Sequence, residues 1–325
     1  MFNELIDGFN LVEISIPNLL HEVIEQKRER NSLELTQALV TNKDEKVTSL
    51  WQEREMLIAG DIIADDNNEV VIAPDLEEIF KARDPSNRLS VTPPQLNDAL
   101  EGGFLRGHHC VLFAVTDLGK TLMSLDLARN FIENGYKVLY VGNEDPLSDL
   151  LERFLVSITQ KDKWTVRRHW YKAQKLAEKK GWGNLVWAEL SPGTVGEIRS
   201  LVEEHKPDVL FVDQLRNLEG KGDNYVRTLE QSAQGIRQIA KQFQLVAVSI
   251  TQAGDSADGK AVLSRGDVDN SNVGIPGTAD LMLGIGATQD QEFNGMRTLS
   301  FPKNKVSGQK RPVLVKFNTK LMRAE

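Results

Sequence analysis

The chain has 325 residues, 40% of them hydrophobic and 26% charged, and a formal net charge of −8. That length accommodates one large domain and a smaller one, and the acidic balance excludes a surface that is basic all over, as a general nucleic-acid coat would be. One cysteine, Cys110, rules out internal disulfides and cysteine-rich zinc sites and fits a reducing cytoplasm; no apolar run nears the ~20 residues that span a bilayer, and the N-terminus has no secretory signal pattern.

Residues 1–84 read as a small, mainly helical domain for assembly or partner binding. "LLHEVIEQKRERNSLELTQAL" has helical spacing, "DIIADDNNEVVIA" resembles two short β segments around a turn, and a helix is expected from Leu76 to Ala82. The Pro, Ser and Asn of "RDPSNRLSVTPP" suggest a linker at 85–94. From residue 95 to 325 short apolar runs alternate with helical ones: "HHCVLFAV", "TLMSLDLARNFIENG", "KVLYVG", a helix from Pro146, "NLVWAEL", "VGEIRSLVEEH", "DVLFVD", "YVRTLEQSAQGIRQIAKQF" and "QLVAVSI", followed by three strands, "ADLMLGIG", "RTLSFPK" and "PVLVKFN". This is the pattern of an α/β domain with a mostly parallel sheet covered on both faces, whose ligands sit beyond the carboxyl ends of the strands.

The stretch "FAVTDLGKT" lies where one such strand passes into a helix, the context of a phosphate-binding loop. Backbone N–H groups over Val115, Thr116, Asp117, Leu118, Gly119, Lys120, Thr121 and Leu122 can face a triphosphate there, aided by the helix N-terminus. Lys120 is then the cation for the β- and γ-phosphates and Thr121 a ligand for Mg²⁺. Asp117 is out of place beside phosphate, since repulsion at ~4 Å and an effective dielectric of ~20 is about 4 kcal/mol; it is expected to face solvent or a neighbouring subunit. "VLFVD" ends in Asp213, a second candidate Mg²⁺ ligand. Glu144, just past "YVG", is a candidate to polarise an attacking water, with Asp145 as an alternative. Gln252 closes "VSITQ", at the tip of the next strand, as a candidate γ-phosphate sensor.

Gly-Lys-Thr, a strand-end Glu, a strand-end Asp and a strand-end Gln, in that order, resemble the RecA-fold ATPases, and among them the DnaB-type replicative helicases, including the helicase halves of phage primase–helicases. "TPPQLNDALEGGFLRGHHCVLFA", "IRSLVEEHKPDVLFVDQL", "RTLEQSAQGIRQIAKQFQLVAVSITQ" and "RGDVDNSNVGIPGTADLMLGI" carry the likeness, over roughly residues 90–318. Loops of that family often begin with alanine, as here at Ala114. The resemblance implies a RecA-like core binding ATP and Mg²⁺, a homo-oligomeric ring, usually hexameric, translocation on single-stranded DNA, and partners such as a primase, polymerase or loader for the N-terminal domain, with no membrane association.

It also implies basic fingers reaching a neighbour's γ-phosphate. In "FPKNK", Lys303 falls on the family's lysine position and Lys305 on its arginine position, a departure because lysine lacks the bidentate fork. The DNA-facing loop is implied in "AGDSADGKAVLSRGDVDNSN", with Lys260 and Arg265, and a second in "RNLEGKGDNYVR", with Lys221; length and composition suit mobile loops. Residues 163–180 hold seven Lys/Arg against one acidic residue, interleaved with Trp164, Trp170 and Tyr171. Either they form an amphipathic helix with its aromatics on the core, the reading preferred, or an auxiliary strand-binding helix. His108, His109 and Cys110 alternate across a strand and are not expected to share a metal. Two other functions fit a similar core: a RecA-like recombinase or mediator that forms ATP-switched filaments, and a nucleotide-binding loader or scaffold with weak hydrolysis.

Overall fold

The computed structural model describes residues 30–37, 46, 47, 50, 84, 87–219, 225–269 and 274–325. Contacts divide the chain into two compact units, Met1–Asp75 and Leu76–Glu325. In the first, residues 30–37 are helical, and Leu35 and Leu50 are buried together with Val47 against them. The two β segments expected at 61–73 and the helix at Leu76–Ala82 lie outside the described residues.

The second unit begins earlier than the composition suggests. β1 (Arg88–Leu89) pairs antiparallel with β2 (Phe104–Leu105), and α1 (Pro94–Ala99) lies between them. Leu89, Val91, Leu96, Leu100 and Phe104 are buried in the main core. The stretch read as a linker is therefore largely a folded lead-in: its Pro and Ser residues mark turns, but Leu89 and Val91 between them supply the apolar surface that anchors it.

The strands and helices expected beyond residue 95 follow in order, with unexpected short elements among them: β3 (His109–Ala114), α2 (Lys120–Glu133), β4 (Val138–Gly142), α3 (Leu147–Thr159), α4 (Lys163–Arg168), α5 (Trp170–Lys179), β5 (Leu185–Glu189), β6 (Gly193–Thr194), α6 (Val195–His205), β7 (Val209–Asp213), β8 (Leu218–Glu219), α7 (Tyr225–Gln242), β9 (Val246–Gln252), α8 (Gly274–Thr278), β10 (Leu281–Gly286), α9 (Gln289–Phe293), β11 (Met296–Asn304), β12 (Val313–Asn318) and β13 (Arg323–Ala324). The unexpected ones are β6, β8, α8, α9 and β13. Among the described residues nine strands form one sheet, in the order β13-β12-β11-β10-β3-β9-β7-β4-β5. From β10 to β5 neighbouring strands run parallel, and β11, β12 and β13 extend the sheet antiparallel.

Alternation along the buried strands splits the core in two. Leu112, Ala114, Tyr140 and Phe211 face a cluster built with α2 and α3, whereas Val111, Phe113, Leu139 and Val212 face one built with α6 and α7. A capping box starts α6, the Thr194 hydroxyl accepting from Glu197 N–H while the Glu197 carboxylate accepts from Thr194 N–H. On the first face, Asp126 accepts from Arg129 Nε at 2.8 Å and from the backbone N–H of Ala324 at 3.1 Å. That buried pair ties the C-terminal strand to α2 and brings the turn before it, 319–322, towards the start of that helix.

Candidate functional site

Register alone gathers the strand tips. Ala114 stands opposite Gln252 in the β3–β9 pairing, and Gly142 opposite Asp213 in the β4–β7 pairing. A cavity of about 430 Å³ opens at this carboxyl edge, lined by Thr116, Asp117, Gly119, Lys120, Thr121 and Leu122 from the loop and α2, by Glu144, Asp145 and Arg153 from the β4–α3 side, by Gln214 and Gln252 from the ends of β7 and β9, and by Thr319 and Met322 from the C-terminal turn. The side chains of Val115 and Leu118 are not in its lining, and Leu118 is buried in the core.

The loop is built to stay open. Asp117 adopts φ 63° and Gly119 φ 101°, both left-handed. A Cβ on Gly119 would also lie 2.6 Å from Cε2 of Phe317, whose ring packs beneath the loop, so side chain and dihedral both demand glycine. Arg297 completes the support: buried, it donates from Nε to the Leu118 carbonyl at 3.1 Å, and its guanidinium lies 5.8 Å from the centre of the Phe317 ring. Asp117 is exposed at the cavity rim.

The buried Lys120 ammonium donates to the carbonyls of Ala114 and Val115, 3.2 Å each. Burial pulls its pKa down, partly offset by the negative charges of Glu144, Asp213 and Asp117. Asp213 is buried and asymmetric. One oxygen accepts from Tyr140 Oη at 2.7 Å, while the other, Oδ1, has no hydrogen-bond partner. Burial raises its carboxyl to about 6, against the pull of the Tyr140 hydrogen bond and with the repulsion of Glu144 and Asp145 adding to the rise. Tyr140 Oη is also 2.9 Å from Ser124 Oγ; with its own proton given to Asp213 it accepts from the Ser124 hydroxyl, so two hydrogen bonds link Asp213 to α2. Asp213 itself is not in the lining of the cavity, but it feels the Lys120 charge, and a buried carboxylate oxygen with no donor has the chemistry of a hard-cation ligand.

Glu144 accepts from the Gln214 side-chain amide, and Gln252 accepts from Arg216 just after β7. Asp145 pairs with Arg153 at 2.9 Å.

The two expected fingers stand elsewhere. Met282 and Leu281 of β10 face Lys303 and Asn304 of β11, and Leu281 also faces Cys110 near the start of β3. Lys303 and Lys305 therefore lie towards the other ends of the strands from Ala114, roughly 10 Å along them for Lys303 and roughly 13 Å or more for Lys305 at ~3.3 Å per residue, and not in the cavity of their own chain. Lys303 Nζ donates to the carbonyls of Pro276 and Gly277, and Lys305 Nζ to Asp280 Oδ1 at 3.1 Å.

Residues 253–269, read as a mobile loop, hold more local structure than their composition suggests. Two short 3₁₀ turns and an Ala253–Val268 bridge fold them up, and Ala257, Leu263 and Val268 are buried. Asp267 is the hub: burial would raise its carboxyl, but hydrogen bonds from Lys260 Nζ, Ser264 and Ser256 pull it down to about 2. Lys260 is thus held at 2.8 Å by Asp267, and Arg265 Nε donates to the Pro302 carbonyl at 3.0 Å. Lys221 lies outside the described residues. His109 is buried inside β3, its Nε2 2.9 Å from Ser249 Oγ.

The preferred reading of residues 163–180 does not hold: the stretch is two helices broken at His169, and Trp164, Trp170 and Tyr171 are exposed instead of packed on the core. The seven basic residues already populate the face that a core-directed reading had left for solvent, and the small residues Ala173 and Ala177 take the buried positions.

Sequence reading did not single out Tyr140, Arg153, Gln214, Thr319 or Met322. Tyr140 had one signal, a hydroxyl within an otherwise apolar buried strand. Thr319 and Met322 had none, since they reach the cavity only through the β12–β13 pairing.

The family model described as "AAA domain" matches residues 74–258. A curated relative, the DnaB-like replicative helicase of Enterobacteria phage T4, is 27% identical over an alignment 215 residues long that covers 60% of this chain and 45% of the relative, so the match spans less than half the length of that relative. Among solved structures, an isolated ATPase domain superposes with a TM-score of 0.65 at 17% identity, covering 76% of this chain and 94% of that one. A DnaB-like replicative helicase, solved in a study of its interactions with primase, does so with a TM-score of 0.65 at 16% identity, covering 94% of this chain and 78% of that one. The fold is α/β with a mostly parallel sheet, as the strand pattern led us to expect, and it is that of the RecA-like helicase ATPase domains, as the resemblance implied.

Proposed function

This chain belongs to the AAA domain family, and from that premise we propose that it is an ATP-hydrolysing DNA helicase that works as a homo-oligomeric ring on single-stranded DNA. The observation that carries the reading is the convergence of Lys120, Thr121, Glu144 and Gln252 on one cavity, with Asp213 tied by one oxygen through Tyr140 and Ser124 to the same helix and left without a donor at the other. The similarity to the DnaB-like helicase of phage T4 supports the choice of a motor acting on DNA.

In this reading the N–H groups from Thr116 to Leu122 cradle the phosphates of ATP, and Lys120 leaves its two carbonyls to meet their charge. The Thr121 hydroxyl and the Asp213 carboxylate would hold magnesium, which would supply neutralisation of phosphate charge. Glu144 orients and deprotonates the attacking water, its second oxygen fixed by Gln214. Gln252 meets the γ-phosphate and passes its loss to Arg216, its partner here. Lys303 and Lys305, remote from their own cavity, reach the γ-phosphate held by the neighbouring subunit. Lys260, Arg265 and Lys221 contact the DNA backbone from the loops beyond β9 and β7, and the Met1–Asp75 unit serves assembly or a replication partner such as a primase, polymerase or loader.

The test is hydrolysis and unwinding with the whole chain. The wild type is expected to hydrolyse ATP faster with single-stranded DNA and to open a forked duplex, and Lys120→Ala to lose both by a factor of at least about 100. Hydrolysis unchanged in Lys120→Ala would overturn the assignment of the cavity. Negative-stain images with an ATP analogue and DNA are expected to contain closed rings; long filaments would favour a recombinase instead.

A further inference from the structure

We propose that α4 and α5 present a second surface for single-stranded nucleic acid, separate from the loops assigned above. Trp164, Trp170 and Tyr171 expose 64%, 62% and 56% of their surface. Large aromatics so exposed, and so close in sequence, are uncommon on a surface with no partner. Nor does the fold need them: Val166, Ala173 and Ala177 make the buried contacts of these two helices.

Each aromatic group stands beside a cation. The Arg168 guanidinium lies 4.9 Å from the Trp164 ring centre and Lys175 Nζ 4.6 Å from that of Tyr171, which meets Trp170 edge-on at 5.9 Å. Of the seven basic residues in 163–180, Lys163 and Arg167 are spent on Glu152 and Lys180 on Glu133. Among the described residues Arg168, Lys172, Lys175 and Lys179 have no carboxylate partner, in a chain whose net charge is −8.

That mixture selects the occupant. An apolar protein face would have to bury four unpaired cations, which is costly. A single strand offers what both halves need: bases to stack on the rings and phosphates for the cations, without sequence preference. DNA and RNA share this chemistry, so both belong in the test. The surface also touches the nucleotide site through one residue. Met322, which lines the cavity, packs against Val166, Ala173 and their neighbours on the inner side of α4 and α5.

The inference does not depend on hydrolysis, so it is tested without nucleotide. Whole-chain protein is titrated into fluorescein-labelled oligothymidylate and oligouridylate of about 20 nucleotides, longer than a typical strand-binding site, with anisotropy and tryptophan fluorescence both recorded. Trp170→Ala/Tyr171→Ala is expected to weaken binding roughly tenfold or more, the effect of losing about one stacked base. Lys172→Glu/Lys179→Glu is expected to flatten the salt dependence by about 0.7 per cation removed. Lys260→Ala/Arg265→Ala should keep the tryptophan quenching on binding, because its loop is elsewhere. All these positions are at the surface, and equal melting temperatures verify the fold. The proposal is overturned if both surface variants bind either oligonucleotide like the wild type, or if they alter only the oligomeric state, which would make the patch a protein interface. Failure of the ATPase assay would leave these binding curves untouched, so the two readings fail separately.

Discussion

Asp213 is held at one oxygen and bare at the other, and Tyr140 is what holds it. The tyrosine holds one carboxylate oxygen and so leaves the other as the one without a donor. Tyr140→Phe is expected to leave the fold intact at a cost of about 1 kcal/mol while raising the magnesium concentration for half-maximal ATP hydrolysis severalfold, measured by titrating magnesium at fixed ATP. A merely structural tyrosine would lower stability without moving that midpoint. A second residue-scale expectation concerns His109. Burial depresses its imidazole to about 4, with the Arg237 charge assisting and Asp280 opposing. The unfolded chain therefore binds a proton that the folded one refuses between about 6.5 and 4, and stability is full above that window and lost as pH falls through it, by at most about 1.4 kcal/mol per pH unit. In His109→Gln, melting temperatures between pH 7 and 5 are expected to vary less with pH than in the wild type, whatever their absolute level. Of these residues, Asp213 was legible because an apolar run ending in a carboxylate is a local pattern. Tyr140 and Ser124 were not, because their roles come from a lateral strand pairing that composition does not encode.

At the scale of elements, two glycines in β10 show how the loop after β9 finds its place. A Cβ on Gly286 would lie 2.4 Å from the carbonyl oxygens of Lys260 and Ala261, and one on Gly284 would lie 2.7 Å from Ser300 Oγ and 3.0 Å from Leu263 Cβ. The loop is seated directly on the strand, so Gly286→Ala is expected to push it away and to lower stability by about 1–3 kcal/mol, read from the midpoint of urea unfolding. Oligonucleotide affinity serves as the second readout for the assigned Lys260. The order of strands and helices was legible, since continuously apolar strands alternating with amphipathic helices announce a covered parallel sheet. The turns of the loop were not legible because Gly, Ser and Asp suit mobile loops and capped turns alike: Asp267 gathers four hydrogen bonds that its neighbours' polarity alone did not reveal. The same blindness applies to α4 and α5, where aromatic content predicts burial unless the competing small residues at Ala173 and Ala177 are weighed.

For the whole molecule, the parallel order places every strand tip of the cavity at one edge of the sheet, and the antiparallel return of β11 carries Lys303 and Lys305 to the other. If a neighbour's lysines complete each cavity, a chain bearing Lys120→Ala and a chain bearing Lys303→Ala/Lys305→Ala are each inactive alone, yet a mixture of the two regains part of the hydrolysis, because some junctions pair an intact cradle with intact fingers. Equal absence of activity in the mixture would mean that the lysines act within their own chain or not at all. The same edge-to-edge division makes defective copies contagious. A subunit lacking both features spoils two junctions at once, so wild-type preparations doped with it should lose activity faster than the dopant fraction rises, a dominant-negative behaviour written into the direction of a single strand.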